Sequence, residues 1–144
     1  MNEINFYSTT TNYNWLSNFC FSPMVIDGVK YPTNEHYYQS QKFKDTNLRM
    51  WIVLSPSPKY IYLLTRIIKK DEIREDWEQV KFDVMLNGLR EKFKQNKALR
   101  DDLIATGNSL LCEDSSDKVW GKRGQNMLGK LLMKVRDELN ETRK

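Results

Sequence analysis

Nine consecutive positions, Glu35 to Phe43, carry a carboxylate, the only histidine of the chain, two tyrosines, two glutamines and a lysine. If this segment is helical, Glu35, Gln39 and Lys42 stand at i, i+4 and i+7 and share one face. Tyr38 lies close to that face, and Tyr37, Ser40 and Phe43 take the opposite side. A carboxylate buried beside a tyrosine has a raised pKa, as a general acid working near neutrality requires. An ordinary solvated Glu/Lys surface has the same spacing, but it leaves the aromatic residues unexplained. His36 is read as a packing or capping residue.

Three further clusters could meet a ligand. In "DWEQVK", Trp77 and Lys81 are i, i+4 neighbours with Arg74 close before them. A tryptophan beside cations suits stacking on a planar heterocycle, and a core tryptophan is the competing reading. In "DSSDKVWGKRGQNMLGK", Asp117, Trp120, Gly121, Arg123, Gly124 and Asn126 fall within ten residues. Glycines at this density bring backbone amides close to a ligand, and a following helix N-terminus favours anions. An ordinary surface loop has the same composition, and neither phosphate-binding glycine fingerprint is present. In "NWLSNF", Trp15, Ser17 and Asn18 offer polar groups from a loop.

The elements that must position these groups follow from turn and cap chemistry. "MVIDGVKYP" predicts a hairpin, Met24–Ile26 and Val29–Tyr31 around an Asp27-Gly28 turn. Thr33 caps a helix expected to run to about Lys44. "DTNLRMWIVLS" predicts a shorter helix, and the chain is expected to be helical again after Pro58. "REDWEQVKFDVMLNGLREKFKQ" predicts a long helix, "NKALRDDLIATG" another, and "NMLGKLLMKVRDELNE" a C-terminal one. The N-terminal segment and Leu110–Glu113 predict a small sheet. The fold class is therefore α+β, predominantly helical, with residues 1–144 forming one domain.

The 144 residues, 40% hydrophobic and 29% charged, describe a globular chain with room for a core. No apolar run approaches the roughly 20 residues that span a bilayer, and no secretory leader is evident. Cys20 and Cys112 are far apart and outside any metal-binding pattern, so reduced thiols, a cytoplasmic location and no metal or cofactor are expected. The formal net charge of +4 is compatible with a phosphorylated or nucleic-acid partner. The oligomeric state is left open.

The order of the blocks WLSNF, DG..YPT.EHYYQ.QKF, SP, DW..VK..VM, KF.QN, TG, L.E.S.D..WG and G.N.LGK.LM.VR resembles the NADAR (YbiA-like) family, from about Phe6 to Leu139. That resemblance implies a small, mostly helical domain that hydrolyses an N-glycosidic bond. It implies two substrate classes: phosphorylated intermediates of riboflavin biosynthesis, or ADP-ribose attached to guanine in nucleic acid. By position it puts Glu35, Lys42, Trp77, Lys81, Asp117, Trp120 and Asn126 in or beside the pocket, with Trp15 and Asn18 at the rim. Family members commonly carry an Ala-Lys…Gly-Arg element after the SP block. Here the stretch is "SPSPKYIYLLTRIIKK", where Lys59 and Arg66 are the counterparts and the small residues are missing.

Cleaving a ribosyl C1′–N bond builds cationic character on the sugar, so a carboxylate to stabilise it and an acid for the leaving nitrogen are needed. Glu35 and Asp117 are the expected pair. A lysine attacking the anomeric carbon is a second route, and Lys42, on the face of Glu35, is favoured over Lys81. Trp77 and Trp120 would stack on the heterocycle beside Tyr38. Arg123 and the amides around Gly121 would hold phosphate. The alternative is a non-catalytic ADP-ribose or nucleotide-binding module.

Overall fold

The computed structural model describes residues 2–143. Along the chain come β1 (Glu3–Phe6), a 3-10 turn (Asn14–Leu16), β2 (Met24–Ile26), β3 (Val29–Tyr31), α1 (Asn34–Gln41) and α2 (Thr46–Val53). They are followed by α3 (Pro58–Ile67), a second 3-10 turn (Lys70–Glu72), α4 (Trp77–Gln95), α5 (Lys97–Ala105), β4 (Leu110–Glu113) and α6 (Met127–Thr142). Among the described residues no helix is long and apolar enough to cross a membrane.

Local chemistry accounts for most of these boundaries. Asp27 and Gly28 take φ of 51° and 79°, the left-handed pair that a tight antiparallel hairpin requires. The side chains of Thr33, Asp45 and Ser57 each accept from backbone N–H groups of α1, α2 and α3. Helix α1 is shorter than the sequence predicts. The Lys42 N–H bonds back to the Gln39 carbonyl at 3.2 Å, and the chain then turns away. Phe43 forms an isolated antiparallel bridge with Ile73. Lys44 and Arg74 donate across the same junction, to Glu72 and Lys42. The end of α1 is thereby tied to the segment that feeds α4.

The expected small sheet is the parallel pair β1–β4, with Phe6 opposite Glu113. The β2–β3 hairpin stays separate from it. Phe6, Leu16, Met85, Leu89, Phe93, Leu103, Leu111, Leu128 and Leu132 form the main core between α4, α5, α6 and the β1–β4 pair. A second cluster, Met24, Tyr31, Tyr37 and Val53, sits under the hairpin. A third, Phe43, Ile52 and Ile61, joins α2 and α3 to the end of α1.

Helix α1 lies against α4 at Gly88. A Cβ there would fall 2.0 Å from Asn34 Oδ1 and 2.9 Å from the Tyr37 ring. Alanine is the better helix former by roughly 0.5–1 kcal/mol, but overpacking of this kind costs about 1–3 kcal/mol. Gly88→Ala should therefore lower the midpoint of thermal unfolding. A higher midpoint would mean that α1 is free to move off α4.

Candidate active site

Glu35 lies in the first turn of α1. The helix terminus favours a carboxylate there by about 0.3–1 kcal/mol. Burial opposes it and prevails: the carboxyl is pushed up to about 7, chiefly by desolvation. A hydrogen bond from Gln39 and the charge of Lys42 pull it down, whereas Glu113 pushes it up. The residue keeps some solvent contact while protein encloses its carboxyl. The buried Gln39 Oε1 has no hydrogen-bond partner. Half a turn of that amide would let it accept from a protonated Glu35.

The surrounding groups come from three elements. Lys42, the residue after α1, is half-buried, and its amine lies below the usual lysine range. Desolvation is the main cause; Lys81 adds to it, and Glu35 and Glu78 oppose it. Lys81, one turn into α4, pairs with Glu78. Burial also raises the pKa of Glu113, at the end of β4, while Ser115 Oγ donates to it at 2.8 Å and lowers it. Tyr38 is buried, and its phenol is pushed well above the usual range by desolvation and then by Glu35, Glu78 and Asp117. It stays a neutral hydroxyl. Its ring meets Trp77 at 5.0 Å between centroids and Trp120 edge-on at 5.6 Å, and Trp120 meets Phe82 at 5.4 Å. The result is an aromatic wall beside one acid, one softened amine and a second carboxylate.

Other residues hold this arrangement in place. The Glu35 N–H donates to the Asn18 carbonyl at 3.1 Å, and Asn34 Nδ2 donates to Asn18 Oδ1 at 2.9 Å. The loop carrying Asn18 is fixed from beneath by Lys92. This lysine is fully buried, and its amine donates to the carbonyls of Trp15 and Ser17 at 2.7 and 3.0 Å. Burial lowers its pKa to about 8. Asn126 precedes α6 with φ of 50°, a left-handed conformation that asparagine tolerates. Its amide accepts from the Glu113 N–H and donates to the Leu111 carbonyl, so it sets the end of β4.

Thus the structure brings together Glu35, Tyr38, Lys42, Trp77, Lys81 and Trp120, with Asn18 and Asn126 bonded to the backbone of the two carboxylate residues. Asp117 lies close enough to act on Tyr38 and Glu113 by charge. Its Oδ1 is engaged by the backbone N–H groups of Val119 and Trp120, at 2.9 and 2.8 Å. Trp77 is buried in the core cluster, with only 6% of its surface exposed. Trp15 packs edge-on against Phe93 and donates to the Asn12 carbonyl. Gly121 is buried where a Cβ would fall 2.3 Å from Ser115 Oγ, so it lets the loop close on itself. Arg123 is exposed and paired with Asp114. His36 faces away from the acid. Its Nε2 lies 3.0 Å from the Ser55 carbonyl, an acceptor only, so Nε2 carries the proton and Nδ1 accepts from Thr33. A groove of about 820 Å³ between α4, α5 and α6, lined by Arg90, Arg100, Ile104, Val135 and Leu139, contains none of these groups.

Two residues of consequence, Glu113 and Lys92, were not singled out from the sequence. Glu113 carries a visible signal, a carboxylate ending a strand two positions before a serine. Lys92 carries none, because a lysine followed by Phe93 on a long helix looks like any solvated position.

The NADAR domain profile matches residues 5–140. N-glycosidase YbiA of Escherichia coli (strain K12) is 43% identical over 141 residues, covering 94% of this chain and 88% of that protein. An N-glycosidase of Nostoc punctiforme is 37% identical over 144 residues, covering 94% and 92%. A riboflavin biosynthesis protein of Vibrio vulnificus is 38% identical over 143 residues, which span 39% of that longer protein. The NMR structure of E. coli YbiA superposes with a TM-score of 0.88 at 39% identity, covering 99% of this chain and 87% of that one.

A carboxyl held near 7 weakens the fold at neutral pH. Between about 4.5 and about 7 the folded chain keeps a proton that the unfolded chain has released. The stability this proton gives is full below about 4.5 and is lost as pH rises through about 7. The loss is at most about 3 kcal/mol. Glu35→Gln, which does not titrate, should therefore be more stable than the parent protein at pH 8 and gain little at pH 4. A difference independent of pH in paired denaturant titrations would remove the raised pKa.

Proposed function

The chain belongs to the NADAR family, and from that premise we propose that it is an N-glycosidase, a hydrolase that cleaves a ribosyl C1′–N bond. The observation that carries this reading is the buried Glu35 carboxyl, held to about 7 against Glu113 and beside the Lys42 amine. Glu35 gives its proton to the leaving nitrogen. Glu113, ionised, faces the positive charge that develops on the ribose. Asp117 is assigned to shaping the loop that presents Trp120, and Trp120 and Tyr38 to the heterocycle face. A module that only bound a nucleotide would gain nothing from a carboxyl that costs stability at neutral pH.

The sugar carbon has two candidate nucleophiles. Water, deprotonated by Glu113, adds directly. Alternatively the Lys42 amine adds to the anomeric carbon as the base departs with the proton of Glu35. The ionised Glu35 takes a proton from the alkylated amine and passes it to the ring oxygen as the ring opens to an iminium, and water then adds to release the sugar and the free amine. The lowered pKa of Lys42 raises the fraction of free amine available for this step.

For the substrate we infer a phosphorylated intermediate of riboflavin biosynthesis, with ADP-ribosylated guanine as the competing class. The Vibrio relative, a riboflavin biosynthesis protein, supports the first. Arg123 lies in the exposed loop before α6, and phosphate recognition falls to it or to the loop amides; Lys59 and Arg66 stand on α3, across α1 from Glu35. The free thiols Cys20 and Cys112 fit a reducing, cytoplasmic setting. Offering both substrates to the purified protein separates the classes by the sugar released, ribose phosphate or ADP-ribose. Release of neither would overturn the reading.

Glu35→Gln should lower kcat by about 100- to 10,000-fold, the usual contribution of a general acid. The rate of the parent protein should fall as pH rises through about 7. In Glu113→Gln that falling limb should move to lower pH, because a like charge beside Glu35 is gone. An unmoved limb would uncouple the two carboxyls.

Borohydride added during turnover should trap an adduct on Lys42, located by peptide mass spectrometry and absent in Lys42→Ala. An adduct on Lys81 would move the amine to α4. No adduct under active turnover would leave water as the nucleophile.

A further inference from the structure

On helix α3 the apolar arc is wider than the part that the core covers. Ile61 and Leu64 point inward, Ile61 joining Phe43 and Ile52 in the third cluster. Tyr60, Leu63 and Ile67, spaced i, i+3 and i+7, continue that arc outward and are 45%, 54% and 72% exposed. Helix α2 does the same with Met50, Trp51 and Leu54, at 40%, 50% and 76%. A groove lined by Leu48, Trp51, Ile67 and Ile68 joins the two faces. Of the large hydrophobic residues that are exposed among those described, most belong to this one pair of helices.

The six side chains, at roughly 200 Å² each and about half exposed, leave on the order of 700 Å² of apolar surface. The largest patch on a typical monomer is about 300–600 Å², and a stable interface takes about 800 Å² from each partner. The rim carries both signs of charge. Asp45, Glu72 and Lys69 line the groove, and Lys70 and Asp71 follow Lys69 in the chain. An anionic partner such as nucleic acid or a lipid surface would meet repulsion from the three carboxylates. An apolar centre with a mixed rim is instead complementary to its own copy turned about a two-fold axis.

We propose that the α2–α3 face is the interface of a homodimer, its occupant being the same face of a second copy of this chain. Helix α1 lies between this face and the acid. His36 and Phe43 turn toward α2 and α3, whereas Glu35 turns toward Glu113 and Lys42. Dimerisation therefore leaves both sites open, on the far sides of the two protomers.

The test is the mass in solution of the full chain, by light scattering across micromolar concentrations. The proposal expects twice the 17.2 kDa chain mass for the parent protein. Leu63→Glu and, separately, Leu54→Lys should halve it, with circular dichroism and the rate on the N-glycoside substrate unchanged. Both positions are exposed, so neither substitution disturbs the core. A parent protein that stays monomeric throughout would overturn the proposal, including the case where the face binds some other protein. So would a dimer that survives both substitutions.

Discussion

Helix α1 can lie against α4 only because residue 88 has no side chain, and the site depends on that contact. The close approach brings Asn34 within reach of Asn18 and fixes the start of α1 against the loop that Lys92 holds from beneath. At the other end, the Phe43–Ile73 bridge ties Lys42 to the entry of α4. The acid and the amine therefore stand on a short helix clamped at both ends. Neither residue needs a long-range ion pair to keep its place.

Once α1 is clamped, electrostatics follow from how much water the packing removes. Two influences favour an ionised Glu35, the helix terminus and Lys42. Two oppose it, desolvation and Glu113, and the desolvation is the larger effect. The same packing acts on Lys42 in the opposite sense, because burial disfavours the charged form of either group. A carboxyl raised to about 7 and an amine lowered from its usual range thus arise from one enclosure. The cost falls on the fold: a charged Glu35 is poorly solvated where it sits. Sites of this kind trade stability for a usable protonation state.

Much of this was legible in the sequence because it rests on local chemistry. The Asp27-Gly28 turn, the Thr33 cap and the long amphipathic helices each follow from neighbours in the chain. The face carrying Glu35 and Lys42 follows from helical spacing. What escaped depends on distant packing. Glu113 matters because β4 pairs with β1 and ends where its carboxylate acts on Glu35 by charge, which no spacing within residues 110–113 reveals. Lys92 is buried because the loop around Trp15 folds over it, 77 positions away in sequence. The early end of α1 is set by a bridge to Ile73. Trp77 and Trp120 look alike as residues, yet one is buried in the core and the other half-buried in a loop.

The central claim is that burial holds one carboxyl un-ionised near neutrality. A carboxyl-carbon NMR titration of Glu35, its signal identified by its absence in the glutamine variant, measures this directly. An inflection near 7 is the predicted result. An inflection at the ordinary glutamate value of about 4.5 would contradict it, and with it the assignment of Glu35 as the acid.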